Sequence, residues 1–273
     1  RLRTPLTYGL VLLFLGLGPA VADEPKPIPK TRPEMKEALD ALKYRKPRLP
    51  LPPPTEEELE QARRAAAERA ASGNPTGLRG GGVVNNGRMR QLYLPRDASA
   101  RGVGSRNPDP AMKFDFRFST ELFWIVSRVN NCHYCLGHQE DKLRSAGATE
   151  DDLAALDLDW SLIPESKQAA YRFAAKVTAR PDTITQADFD ELRKHYSPNE
   201  AFEILFLVSR YNATNRWTDS LGIPQEEHRE LKTETTPKFA GLQSKVALLD
   251  ALSPDAAALR RPKWESPEVV RQK

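Results

Sequence analysis

A chain of 273 residues has room for one or two domains, but 23 prolines and a hydrophobic fraction of 39% mean that the folded part is much shorter than the whole. The net charge of +4 arises from 41 basic and 37 acidic residues interspersed along the chain. No basic stripe of the kind a nucleic acid requires can be drawn, so no nucleic-acid partner is expected.

Residues 1–22 read as an export signal. Arg1 and Arg3 form a positive start, Tyr8 to Gly18 is an apolar stretch of h-region length, and Ala20-Val21-Ala22 is an A-x-A cleavage site before Asp23. The expectation is an exported chain, periplasmic or extracellular, in a compartment that permits disulfides. An uncleaved anchor is the alternative, although the apolar run is short for a bilayer span.

Residues 23–110 have the composition of a tether, in which prolines and glycines break every periodic run. Two helical islands are expected inside it. One runs from Thr31 to Arg45 and is weakly amphipathic; the other runs from Thr55 to Ala71, with Thr55 and Glu58 as a capping box, and reads as a solvated or docking helix.

From residue 111 to 225 the pattern changes to helical periodicity with caps. TELFWIVSRV (Thr120 to Val129) predicts a buried helix, and ATEDDLAAL predicts a short one opened by Thr149. Pro164 stands in the first turn of a helix reaching Arg180, and Thr185 with Asp188 opens the next. Ser197, Pro198 and Glu200 then supply a cap, a first-turn proline and a third-position acid. No alternating strand pattern occurs. The expected fold is all-α, a compact bundle of five or six helices preceded by a Pro-rich extension and followed by a charged tail over residues 226–273.

An internal repeat supports this reading. ELFWIVSRVNNCHYC begins at Glu121 and EILFLVSRYNATNRW at Glu203; the acid, the Val-Ser-Arg triplet and the following Asn coincide at an offset of 82 residues (203 − 121). Such a pair predicts two similar helices packed across one core. The first copy carries Cys132 and Cys135, where the second has Thr214 and Trp217.

These are the only cysteines of the chain. A Cys-x-x-Cys pair at a helix start places the second thiol one turn from the first, near backbone N–H groups and the positive end of the dipole. His138, three residues after Cys135, shares its helix face and can accept its proton, whereas His133 points elsewhere. Glu121 on the preceding buried helix is the candidate acid behind the histidine, with capping or an arginine partner such as Arg128 as the alternative. Tyr134 either donates a hydrogen bond near the site or packs.

Glu121, the apolar helix, the Asn-x-Cys-x-Tyr-Cys run and His138 together resemble the carboxymuconolactone decarboxylase family, in particular its alkylhydroperoxidase D-like branch, and NATNRWTDSLGIP resembles that family's second conserved helix. The match covers Phe118 to Pro224. The resemblance implies an all-helical fold, assembly into trimers or hexamers, and reduction of a hydroperoxide without organic or metal cofactor. It also implies roles: Cys135 attacks, Cys132 resolves, His138 accepts the proton, Glu121 stands behind it, and an unidentified thiol reductant reopens the disulfide. The family's histidine often lies four residues after the second cysteine, where this chain has Gln139, and its acid one residue farther upstream, where this chain has Thr120.

Three other readings stand beside this one. Cys132, Cys135, His138 and His133 could supply ligands to Zn²⁺. The cysteines could be a disulfide staple in a non-catalytic exported scaffold, although so short a loop gains little entropy. True lactone decarboxylation is the third. A c-type haem is excluded, since Leu136 stands where Cys-x-x-Cys-His needs histidine. His195 and His228 read as solvated.

Overall fold

The computed structural model describes residues 28–71, 86–93, 114–226, 231, 234 and 236–246. Among them every regular element is helical: α1 (Arg32–Ala41), α2 (Glu56–Ala71), α3 (Asn86–Tyr93), α4 (Phe116–Val129), α5 (His133–Ser145), α6 (Glu150–Leu156), α7 (Glu165–Ala179), α8 (Gln186–Arg193), α9 (Pro198–Leu221) and α10 (Pro237–Ala240). Helices α4 to α9 form the expected bundle. No helix among the described residues is long and apolar enough to cross a membrane. The expected export signal, residues 1–22, lies outside the described residues.

Local chemistry sets the helix ends. Thr149 with Asp152, Thr185 with Asp188 and Ser197 with Glu200 close reciprocal capping boxes that satisfy the orphan N–H groups of α6, α8 and α9. Helix α4 starts earlier than its apolar run: Asp115 caps it by accepting from Phe118 N at 2.7 Å. Gly147 takes φ 81° after α5, and the Gly147 and Ala148 amides fold back onto the Arg144 and Leu143 carbonyls, stopping the helix.

Helix α4 is the centre of the bundle and packs against α5, α7 and α9. Its Leu122, Trp124, Ile125 and Val126 are fully buried among Ala170, Tyr171 and Ala174 of α7 and Ile204 and Val208 of α9. Each side chain of this size contributes about 1.5–3 kcal/mol on burial.

The expected boundaries at residues 110 and 225 do not hold as limits of the packed body. Helix α1, placed in the tether by composition, buries Met35 and Leu39 in the main core. Its Arg32 reaches Glu140 of α5 with Nη1–Oε1 2.7 Å and Nη2–Oε2 3.1 Å. Burial pushes the Glu140 carboxyl up, but Arg32 and then Arg144 outweigh it and leave it below the usual carboxylate range. After α9, Leu231, Phe239 and Val246 are buried as well, and Ser244 N donates to Lys30 O at 2.6 Å. Composition identified the Pro-rich character of these flanks correctly; the few apolar residues between the prolines are enough to dock them.

Candidate functional site

The site forms where α4 breaks. Asn130 caps the C-terminus of α4, Asn131 takes a left-handed φ of 52°, and Cys132 turns back so that its amide donates to Ser127 O at 2.8 Å and its residue becomes the N-cap of α5. Asparagine tolerates the left-handed region better than other non-glycine residues. The turn places Cys132 and Cys135 on the first turn of α5, both free thiols, 0% and 2% exposed.

Thr218 on α9 joins them. Its Oγ1 lies 3.3 Å from Cys132 Sγ and 3.1 Å from Cys135 Sγ, while its own hydroxyl donates to the Thr214 and Asn215 carbonyls at 3.1 Å. With that proton engaged, the oxygen is left to accept from the thiols; rotation of the hydroxyl about the Cβ–Oγ1 bond would aim its proton at a thiolate instead. Burial pushes the Cys135 thiol well up, Cys132 beside it adds to the push, and Thr218 works against it. Burial and the neighbouring thiol therefore oppose ionisation of Cys135, and helix-start geometry alone does not offset them. A base is needed.

His138 is on the same helix one turn beyond Cys135, and its Nε2 is 3.0 Å from Glu226 Oε2. The other carboxylate oxygen, Oε1, accepts from Tyr134 OH at 3.2 Å. The Tyr134 and His138 rings are in contact, centroids 4.3 Å apart. Tyr134 OH in turn accepts from Asn86 N at 3.3 Å, and Asn86 Oδ1 accepts from Trp217 Nε1 at 2.8 Å, tying α3 to α9 over the site. Gln225 completes the cover by donating its amide to the His133 and Tyr134 carbonyls at 2.9 and 3.0 Å. It fits because residue 137 is glycine: a Cβ there would come within 2.2 Å of Gln225 Nε2.

Glu121 is elsewhere. It lies eight residues before the end of α4 (129 − 121), about 12 Å along the axis, and its Oε2 accepts from Lys167 Nζ at 2.6 Å and Tyr171 OH at 2.7 Å, with Arg117 Nε 3.2 Å from Oε1. It borders a cleft of about 210 Å³ between α4, α6 and α7. The expectation that Glu121 backs His138 is corrected: its helix position turns it toward α7, and its charge is balanced there by two cations. His133 is likewise turned away, its Nε2 3.0 Å from Asn131 Oδ1.

No family model matches the chain. The uncharacterized protein YdfG of Bacillus subtilis is 26% identical over 112 residues, covering 39% of this chain and 75% of its own length. Among solved structures, an uncharacterized peroxidase-related protein from Silicibacter sp. TM1040 superposes with a TM-score of 0.50 at 18% identity, over 71% of this chain and 94% of its own. The debrominase Bmp8 in complex with 2,3,4-tribromopyrrole superposes with a TM-score of 0.50 at 19% identity, over 67% and 95%. At these identities the likeness is one of fold.

Within this fold, three of the sequence-derived site residues, Cys132, Cys135 and His138, share the first turns of α5, and Tyr134 joins them through Glu226. The four residues weighed as zinc ligands do not converge, since His133 faces Asn131 and His138 faces Glu226; among the described residues no group of three or more such side chains is arranged to hold a metal. Thr218, Gln225 and Glu226 were missed. Thr218 stands one residue past Trp217, the repeat counterpart of Cys135, which is a signal the repeat could have supplied. Glu226 sits in a charged run with no local mark.

Proposed function

We propose that this chain is an exported thiol-dependent peroxidase, or dithiol–disulfide oxidoreductase, of the alkylhydroperoxidase D-like branch. The observation that carries the reading is the dithiol of α5: two free, buried sulfurs held by one hydroxyl, with an imidazole one helical turn beyond the second. The peroxidase-related and debrominase names attached to proteins of the same fold agree with redox chemistry at this position.

The steps balance as follows. Cys135 gives its proton to His138; the thiolate attacks the distal oxygen of a hydroperoxide, breaking the O–O bond, and the departing alkoxide takes a proton back from the imidazolium as an alcohol. Cys132 then attacks the sulfenic acid of Cys135, releasing water and leaving an intramolecular disulfide. An external thiol reductant reopens it by exchange. Thr218 is in contact with both sulfurs. Export, inferred from residues 1–22, and assembly into a homo-oligomer belong to the same proposal, as does a reductant of the exported compartment.

Steady-state consumption of cumene hydroperoxide in the presence of dithiothreitol tests the reading. Wild type should turn over peroxide, and Cys135→Ser should fall to the uncatalysed background while keeping its helical circular dichroism. Equal rates in the two proteins would remove the peroxidase assignment.

A further inference from the structure

The proposed chemistry needs an acid behind His138, and Glu121 is committed to Lys167, Tyr171 and Arg117. The carboxylate that does meet the imidazole comes from the opposite end of the domain: Glu226, 88 residues downstream (226 − 138), in the segment that follows α9. It is 5% exposed, and its two oxygens are divided between His138 Nε2 at 3.0 Å and Tyr134 OH at 3.2 Å. A buried carboxylate is costly unless it is paired, and these two partners stand on the dithiol helix itself.

Position is fixed from both sides. Gly222 ends α9 in the left-handed conformation with φ 65°, Ile223 is fully buried among the cysteines, and Gln225 clamps the His133 and Tyr134 carbonyls while its own amide N donates to Leu42 O at 3.4 Å. Glu226 is the residue immediately after that clamp. The docking of the 223–226 segment therefore brings the carboxylate to the imidazole and holds it there.

We propose that Glu226 is the positioning residue of the relay: with Oε2 3.0 Å from His138 Nε2, its carboxylate stabilises the imidazolium that forms when the ring accepts the Cys135 proton. This rests on the reading of Cys135 as the nucleophile. A carboxylate against an imidazole favours the protonated ring, so the pair shifts the balance from thiol plus imidazole toward thiolate plus imidazolium. That offsets the burial that otherwise keeps Cys135 protonated. Among the described residues, Tyr134 donates to the Glu226 carboxylate, Cys132 lies beside Cys135, and the charge of Asp219 on α9 opposes ionisation of Cys135.

The test is carried out on the reduced full chain, with two readouts that need no peroxide. The His138 imidazole titration is followed by NMR, and the pH dependence of Cys135 alkylation by iodoacetamide is followed by peptide mass spectrometry. Glu226→Gln should lower the imidazole titration by about one pH unit and move the rise in alkylation up by about the same amount, near tenfold slower at pH 7. Glu226→Asp, which keeps the charge at a longer distance, should give an intermediate shift; it carries the test if the glutamine variant does not fold. Glu121→Gln should leave both readouts at wild-type values. Unchanged titration and alkylation in Glu226→Gln, or the same shifts in Glu121→Gln, would overturn the assignment. The relay and the peroxidase reading fail separately: shifts without peroxide turnover in wild type retain the relay and remove the peroxidase, and turnover without shifts does the reverse.

Discussion

The two copies of the Glu-x4-Val-Ser-Arg-x-Asn repeat fold as helices and lie against each other, yet only one of them makes a site. Their equivalent asparagines meet: Asn130 Nδ2 donates to Asn212 Oδ1 at 2.9 Å. Phe123 of the first stacks on Tyr211 of the second, centroids 4.1 Å apart. Beyond the asparagines they part. In the first copy Asn131 adopts the left-handed conformation and the chain restarts as α5; in the second, Ala213 and Thr214 carry α9 straight on to Leu221. A helix that runs on keeps its backbone groups satisfied within itself. A helix that breaks exposes a fresh N-terminus, and the dithiol sits on it. The continuous copy supplies the other wall, with Thr218 between the sulfurs.

Burial separates the copies as well. Arg128 is 1% exposed, with Nε 2.8 Å from Asp157 Oδ1 and a further bond to Pro29 O; its counterpart Arg210 lies 5.4 Å over the Phe206 ring at the surface of α9. Arg128→Ala strands a buried carboxylate and should cost about 3–5 kcal/mol, whereas Arg210→Ala should cost less than about 1 kcal/mol. Urea unfolding of the two variants checks this, and equal losses would break the distinction.

The first copy is also backed by α1, and here pH sharpens the difference. Because Glu140 titrates below the usual carboxylate range in the folded chain, its pairing stabilises the fold above the unfolded value of about 4.3 and the contribution is lost as pH falls from there. Arg32→Ala leaves Glu140 with burial dominant, so the variant should lose about 3 kcal/mol at pH 7 and much of its sensitivity to acid. Melting temperatures between pH 3 and 7 report both.

At the point of divergence itself the effects are smaller and opposite in sign pattern. Glycine at 131 suits the left-handed turn, so Asn131→Gly should change stability by only about 0.5 kcal/mol, while Asn131→Val should cost about 1–2 kcal/mol. Ala213→Gly, in the uninterrupted helix, should cost about 1 kcal/mol. Thermal unfolding of the three variants distinguishes a built turn from an incidental one.

Much of this was legible in the sequence because it is written locally. Capping pairs such as Ser197 with Glu200 and the apolar period of the helices fixed the bundle, and spacing alone put Cys132, Cys135 and His138 on one helix. What escaped depends on docking between distant segments. Helix α1 has only Met35 and Leu39 to bury, too few to stand out among prolines, yet both reach the core. Glu121 has the right residue type at nearly the right distance from the cysteines, but the turn of about 100° that one helix position adds decides which neighbour it meets. Glu226 meets the histidine only because α9 ends at Gly222 and the chain turns back.

The central claim is that Cys135 attacks and Cys132 resolves. It is tested most directly by treating the reduced chain with one equivalent of hydroperoxide and mapping the sulfurs by mass spectrometry, in wild type and in Cys132→Ser with a dimedone trap. The account predicts one intramolecular Cys132–Cys135 disulfide in wild type and a trapped sulfenic acid on Cys135 in the variant. Thiols that remain reduced in wild type, or a Cys132→Ser variant in which no sulfenic acid is trapped on Cys135, would contradict it.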